Sequence, residues 1–408
     1  MLLGFKTELK LNNKQRTLLA KHAGVARHAW NWGLALCKGI LDNNKANPKE
    51  KIKFPTAIDL HKWLVALVKP EKQWYYEVSK CAPQYALRQL SDAWKQAFKK
   101  VRGVPKFKRK GRHDSFTVDG SITVEHFRIK VPVMGWLKTY DSEAVATLGA
   151  SRLPRGVKPK SVSISRQGDL WFISFKIEGS ENATVKTREV VGVDLGVKAL
   201  ATLSTGEVFE GANAYKKLEK KLSRLQYRHR NKVTRSNNWK KAQIKIAKLH
   251  RRIANIRKDT LHKLTSYLAK NHSLIAIEDL NVSGMLANRK LAKAISDMGF
   301  GEFRRQLEYK CFLYGSHLVI AERWFPSSKT CFKCKTVKSE LTLAERIFKC
   351  DSCGWTCDRD ENAALNLERY ALSYSVNACG AESADAPLRK QESSSILCSN
   401  VEHCSVYE

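Results

Sequence analysis

The chain opens on an alternation. Leu3, Phe5, Thr7 and Leu9 fall on one side of residues 1–10, which predicts a β-strand. The period then lengthens to helical. Asn12-Asn13 offer a cap, and Leu18, His22, Val25, Ala29, Trp32 and Leu36 mark the core face of a long helix. A second helical stretch is expected from about Thr56 to Val68. A third, after Pro83, carries Leu87, Leu90, Trp94, Phe98 and Val101. From Ser115 to Ile177 the period returns to two. Phe116/Val118, Ile122/Val124 and Phe127/Ile129/Val131 read as short strands. Val162/Ile164 and Trp171/Ile173/Phe175/Ile177 flank a Gln167-Gly-Asp169 turn, a hairpin signal. These strands predict a small β-barrel or sandwich. The strand at residues 1–10 can join it, which makes the helices of residues 11–101 an insertion.

A different pattern follows residue 187. Val190-Val-Gly-Val-Asp194-Leu-Gly196 is an apolar strand ending in an acid, with two further strands (199–203 and 207–209) about a Thr205-Gly206 turn. Leu218, Leu222 and Leu225, then Ile246, Leu249, Ile253 and Ile256, form two apolar stripes at helical spacing. They predict a helical hairpin over residues 215–259. Ser273-Leu-Ile-Ala-Ile-Glu278-Asp279 is a second apolar strand ending in carboxylates. A basic loop, an amphipathic helix from Phe300 to Tyr314 and a third strand from Ser316 to Phe325, carrying Glu322, come next. The last helix is expected from Glu361 to Leu372. Residues 373–408 lose periodicity and carry a net charge of −3 from five acidic and two basic side chains, which predicts a disordered tail.

Charge narrows the function classes. Of 408 residues, 73 are basic and 39 acidic, a formal net charge of +34 that points to a polyanionic partner, nucleic acid above all. The hairpin is the densest region: residues 215–259 hold 17 Lys and Arg against two acids, and such a one-sign helix repels itself unless an anion binds it. Arg224, Arg228, Arg230, Lys245 and Arg252 are candidate contacts there. A second cluster places Lys106, Lys108, Arg109, Lys110 and Arg112 within seven positions, a further candidate for phosphate contact. No apolar run is long enough to span a membrane, the longest being Trp63 to Val68. Lys6 interrupts the first apolar residues, so no secretory leader is expected. The odd count of 11 cysteines favours a reducing, cytoplasmic setting.

Two groups of residues carry chemistry. Cys331-Phe-Lys-Cys334 and Cys350-Asp-Ser-Cys353, separated by 15 residues, form paired knuckles whose four thiolates fit a structural Zn²⁺. Free cysteines or a disulfide pair are the bland alternatives. Asp194 ends one strand, Glu278 ends a later one, and Asp360 opens the last helix. This Asp…Glu…Asp order is that of the RuvC branch of RNase H-like nucleases. There, two divalent cations about 4 Å apart serve one phosphate, and hard oxygen ligands suit Mg²⁺, with Mn²⁺ as a substitute. Asp279, Glu322 and Asp358 are the nearest competitors for these roles.

The chain resembles the TnpB family, the transposon-encoded relatives of type V CRISPR effector nucleases. The resemblance runs from about Leu2 to Leu372 and rests on Gly192-Val-Asp194-Leu-Gly, Ile277-Glu278-Asp-Leu, Gly301-Glu-Phe-Arg-Arg-Gln-Leu-Glu-Tyr-Lys310, Pro326-Ser-Ser-Lys-Thr-Cys331 and Asp358-Arg-Asp360-Glu-Asn-Ala-Ala. It implies an α/β multidomain chain. A wedge-type β-barrel (1–10 and 102–180) would be interrupted by a helical recognition bundle (11–101). A RuvC-like nuclease domain (187–325 and 357–372) would be interrupted by a zinc module (326–356). In the family pattern the third acid precedes x-Asn-Ala-Ala, which selects Asp360. One departure is Gly299-Phe300, where a Trp before Gly-Glu-Phe is expected. The resemblance implies RNA-guided DNA cleavage beside a short motif, with guide RNA and target DNA as partners. A transposase of the same nuclease class, and a DNA-binding accessory without a guide, are the competing readings.

Overall fold

The computed structural model describes residues 2–140, 156–178, 183–342 and 345–380. The chain divides into two compact units, residues 1–180 and 181–408.

The first unit is built on β1 (Leu2–Lys10), a nine-residue strand in the middle of an antiparallel sheet. Helices α1 (Asn13–Ala46), α2 (Ala57–Trp63) and α3 (Cys81–Phe98) follow it. Then come β2 (Ser115–Asp119), β3 (Thr123–Val124), β4 (Arg128–Val131), β5 (Gly135–Thr139), β6 (Ser161–Gln167) and β7 (Leu170–Glu178). The sheet order is β2-β6-β7-β1-β5-β4-β3, so β1 pairs with β7 on one side and β5 on the other. β5 escaped the sequence reading because Trp136 and Leu137 alone give no alternation. Asn12 starts α1 with a reciprocal cap: its Oδ1 accepts from the Gln15 N–H at 2.8 Å, and Gln15 Oε1 accepts from the Asn12 N–H at 3.1 Å.

The buried face of α1 is wider than its stripe predicts. Leu19, Ala26, Trp30, Gly33, Leu34 and Cys37 are all buried, whereas Leu18, Trp32 and Leu36 are only partly covered. A Cβ on Gly33 would lie 2.8 Å from Leu87 Cδ2, so α1 and α3 pack at glycine range. The helical stretch expected to Val68 changes character after Trp63, where residues 64–68 form one π turn.

The second unit is a five-stranded sheet of order β10-β9-β8-β11-β12. β8 (Arg188–Asp194), β9 (Ala201–Leu203) and β10 (Val208–Phe209) make an antiparallel meander. β11 (His272–Glu278) and β12 (His317–Ala321) add in parallel beyond β8. Between β10 and β11 lie α4 (Ala214–Arg230) and the 35-residue α5 (Asn237–Asn271), longer than the expected hairpin arm. Between β11 and β12 lie α6 (Val282–Ala287), α7 (Ala292–Met298) and α8 (Phe300–Tyr314). A short hairpin, β13 (Ile347–Lys349) with β14 (Thr356–Asp358), precedes α9 (Arg359–Gly380). The last helix therefore continues eight residues past its expected end at Leu372, and the remainder of the predicted tail, 381–408, lies outside the described residues.

The parallel strands are apolar on both faces because both faces are covered. Ile275 and Ile277 of β11 join Val191 and Val193 of β8 in a core with Leu261, Leu264 and Leu268 of α5 and Phe303 and Leu307 of α8. Phe300, standing where the family pattern has Trp, is buried in the same core. Leu274 and Ala276 point the other way, against Leu367 and Ala371 of α9. α4 and the N-terminal half of α5 close on Leu222, Leu249 and Ile253. Ile256 stays partly exposed and outside that seam. Among the described residues, no helix is long and apolar enough to cross a membrane.

Gly192 sets how close α9 comes to the sheet. A Cβ there would lie 1.9 Å from the Ala364 carbonyl oxygen and 2.5 Å from the Glu368 nitrogen, both backbone atoms. Gly192→Ala is expected to destabilise this unit by about 3 kcal/mol or more. Gly301→Ala, with open space around its Cβ, is expected to be neutral or mildly stabilising. Thermal unfolding of the two variants checks this, and equal midpoints would refute it.

Candidate metal centres

The strand register brings the first two acids together. β11 pairs with β8 up to Ile277 opposite Val193, so Glu278 and Asp194 stand side by side at the next step. Asp360 comes from the first turn of α9, the helix that packs on the same two strands. Burial drives the Asp194 carboxyl well above the usual carboxylate range, and the negative charges of Glu278 and Asp360 drive it further. Burial also raises Glu278, opposed by a hydrogen bond from the Ser327 hydroxyl to its Oε1 and by the Arg359 guanidinium. The only ion pair of Asp360 among the described residues is a long one, 4.0 Å to Arg346. A cluster of carboxylates with this little positive charge fits a divalent cation that prefers oxygen, such as Mg²⁺.

The competing acids have other occupations. Asp279 is held between Arg304 at 2.6 Å and Arg323 at 2.5 Å, which keep its carboxyl below the usual range. Asp358 caps α9, its Oδ1 accepting from the backbone N–H groups of Asp360 at 2.8 Å and Glu361 at 3.3 Å. Glu322, one residue past β12, is exposed.

The four cysteines converge. Their sulfurs all lie within 4.8 Å of one another, with Cys331 to Cys353 at 3.7 Å and Cys334 to Cys350 at 3.4 Å. Tetrahedral thiolates around zinc lie about 3.8 Å apart, and disulfide sulfurs about 2 Å. The two knuckles share one geometry. The residue after each pair, Lys335 or Gly354, has positive φ (66° and 68°), and its N–H bonds to the carbonyl of the first cysteine, Cys331 at 2.9 Å or Cys350 at 3.1 Å. Burial pushes the Cys331 thiol up to about 12, while hydrogen bonds from Thr336 hold Cys334 down to about 6. A cation among four sulfurs supplies the charge that keeps all of them as thiolates. Phe348, buried with Cys331 and Cys350, is the small core of this module.

Residues not singled out by the sequence join the two centres. Asn366 Nδ2 donates to the carbonyls of Ser327 at 2.9 Å and Thr330 at 2.6 Å, and Asn362 Nδ2 to Thr330 at 2.9 Å. Arg369 donates to the Phe332 carbonyl and lies 4.3 Å from that ring. One face of α9 therefore grips the loop that carries Cys331 at one end and Ser327, the partner of Glu278, at the other. Both asparagines are buried, and their i, i+4 spacing on one face of the helix, continued by Arg369, was the available signal.

The basic candidates divide. Lys106, Arg109, Lys110 and Arg112 are exposed, but Lys108 is folded back 3.9 Å from the Trp30 ring, and burial lowers its amine to about 8. Its backbone is bonded on both sides to Asn31, so it positions the loop against α1. Arg224, Arg228, Arg230, Lys245 and Arg252 are all exposed on α4 and α5.

Three family profiles match: "Probable transposase" over residues 172–289, "Cas12f1-like, TNB domain" over 300–367 and "Helix-turn-helix domain" over 1–46. The "Putative RNA-guided DNA endonuclease InsQ" of Escherichia coli (strain K12) is 34% identical over 411 residues, covering 96% of this chain and 98% of that protein. A "TnpB-like protein L79" of Acanthamoeba polyphaga mimivirus is 32% identical over 143 residues, 34% of this chain and 27% of that one. The chain belongs to the TnpB family. Its fold resembles that in the "Cryo-EM structure of the Cas12f1-sgRNA-target DNA complex", with a TM-score of 0.55 at 16% identity over 88% of this chain and 83% of that one. In this TnpB-family chain, residues 13–46 of the helix-turn-helix match form one unbroken helix, preceded by β1.

Metal analysis of purified protein is expected to find about one zinc per chain, lost in Cys331→Ser together with several degrees of thermal stability. Folded protein free of zinc, with an unchanged melting temperature, would refute the assignment.

Proposed function

We propose that this TnpB-family chain is an RNA-guided DNA endonuclease associated with a transposon, cutting DNA beside a short target-adjacent motif by divalent-metal-dependent hydrolysis. The observation that carries this reading is the carboxylate cluster: Asp194 and Glu278 at adjacent strand ends and Asp360 on the helix covering them, with Asp194 raised by burial and by its neighbours. Asp194, Glu278 and Asp360 would hold Mg²⁺, or Mn²⁺ in its place, and the four cysteines a structural Zn²⁺. A cation held by these three acids would supply Lewis-acid activation of water and charge to steady the leaving oxygen. The chain's own residues do the positioning. β8 and β11 fix two carboxylates on a rigid edge, α9 adds the third, and Ser327 orients Glu278.

The strand order supports a RuvC-type, RNase H-like domain (187–325 and 357–372) interrupted by the cysteine module (326–356). The seven-stranded sheet and its three helices support a wedge-type barrel (1–10 and 102–180) carrying a recognition bundle (11–101). Guide RNA and target DNA as partners are supported by the relatives' names and by basic surfaces on both units. Reduced thiols outside the zinc cluster suit the cytoplasm. The "Probable transposase" description favours a second reading, strand transfer without a guide.

Alanine at Asp194, Glu278 or Asp360 is expected to cut cleavage to below about a thousandth of wild type, about 4 kcal/mol on the barrier, with nucleic-acid binding retained. Normal cutting by Asp360→Ala, with loss in Asp358→Ala, would reassign the third ligand.

Protein freed of RNA is expected not to cut specific DNA, and an added guide to redirect it to the matching sequence. Binding should weaken steeply with salt. Plasmid cleavage with matched, mismatched and absent guides tests this. Equal site-specific cutting in all three would favour the transposase.

A further inference from the structure

Beyond the last residue of β12 the chain makes a tight turn, closed by the Phe325 N–H on the Glu322 carbonyl at 2.9 Å. β12 runs parallel to β11 with Ala321 opposite Glu278, so this turn leaves the sheet at the edge that bears the carboxylates. Side chains on both sides of its tip fasten it. Arg323 reaches Asp279 at 2.5 Å. The Phe325 ring lies 4.8 Å from Tyr370, and Ser327 bonds Glu278. Trp324, at the tip, is 89% exposed, more than any other large aromatic among the described residues.

A single exposed apolar side chain is ordinary on a protein surface and by itself decides nothing. Here the exposure coincides with two other facts. The indole adds nothing to the core, since its neighbours hold the turn without it. The turn is immobilised, so a ring stacking on the indole loses little freedom in the protein. A flat aromatic face on a fastened turn, on the rim of a carboxylate cluster, is a surface on which an unpaired base can stack.

We propose that Trp324 is a stacking platform for an unpaired base of the DNA strand delivered to the Asp194–Glu278–Asp360 cluster. This rests on the nuclease reading above. Stacking is indifferent to base identity, so Trp324 sets where along the strand the cut falls and how tightly the strand is held, without reading sequence. It is a positioning residue and not a metal ligand.

The test uses the full chain with its guide RNA and a matched plasmid. Trp324→Tyr, which keeps an aromatic face, is expected to cut within about threefold of wild type. Trp324→Leu and Trp324→Ala are expected to cut roughly tenfold more slowly at limiting substrate, the loss of one stacked base. All three should melt with wild type, because the side chain is exposed. In an Asp194→Ala background, which blocks cutting, a single-stranded target oligonucleotide bearing 5-iododeoxyuridine should photo-crosslink to the peptide containing Trp324. Leu cutting as fast as Tyr, a lowered melting temperature in the Leu and Ala variants, or crosslinks only to guide RNA or to other peptides would each overturn the proposal. Failure of the wild-type chain to cut under any guide would instead overturn the nuclease reading, and the crosslink, which needs no cutting, still reports on Trp324.

Discussion

Three carboxylates crowd the edge of a buried sheet, and they repel one another. Nothing in local conformation would bring Asp194, Glu278 and Asp360 together; their mutual charge opposes it, as the raised Asp194 carboxyl records. The opposition is overcome by apolar packing on both faces of β8 and β11. Helices α5 and α8 cover one side and α9 the other. Gly192 lets α9 approach to backbone contact, and that approach delivers Asp360. A cluster held against its own repulsion is preorganised for cations.

The second dependency runs through α9. Its apolar side, with Ala363, Ala364, Leu367 and Ala371, seals the sheet, and its polar side, with Asn362, Asn366 and Arg369, grips the segment from Ser327 to Phe332. That segment contains the first cysteine, Cys331, and begins at the serine bonded to Glu278. The cysteine module is therefore fastened beside the carboxylates by side-chain amides on backbone carbonyls, bonds that cost free energy if one partner is removed from a buried site. Zinc held by all four sulfurs would leave no ligand position for substrate, and its contribution would be to the geometry of its neighbours.

Charge is organised differently from the core. Most of the Lys and Arg of α4 and α5 point outward from a thin apolar seam, Arg257 turning in to Asp297, and most of the cluster at residues 106–112 is likewise exposed. Within that cluster Lys108 is the exception. Its amine lies over Trp30 and its backbone pairs with Asn31, so it holds the loop through which its neighbours are displayed. Net charge of +34 spread this way suits partners that are long polyanions.

Much of this was legible without coordinates. Period two and helical period marked most strands and helices, because each element must turn an apolar face to the core. The spacing of the cysteines and the placing of acids at strand ends were local signals, and the sulfurs and carboxylates do stand near their partners. The sequence also determined the sign and abundance of charge. What it left open were choices among near neighbours. Asp358 and Asp360 lie two residues apart and have the same side chain. Only the helix start, where Asp358 is consumed as a cap, separates them. Asp279 follows Glu278 directly, yet only the approach of Arg304 and Arg323, from a distant helix and a distant turn, removes it from the cluster. β5 and the reach of α5 likewise depended on packing against partners remote in the chain. A one-dimensional pattern records which residues must be buried. Which of two adjacent acids is free to hold a metal is decided by what the folded chain brings against each of them.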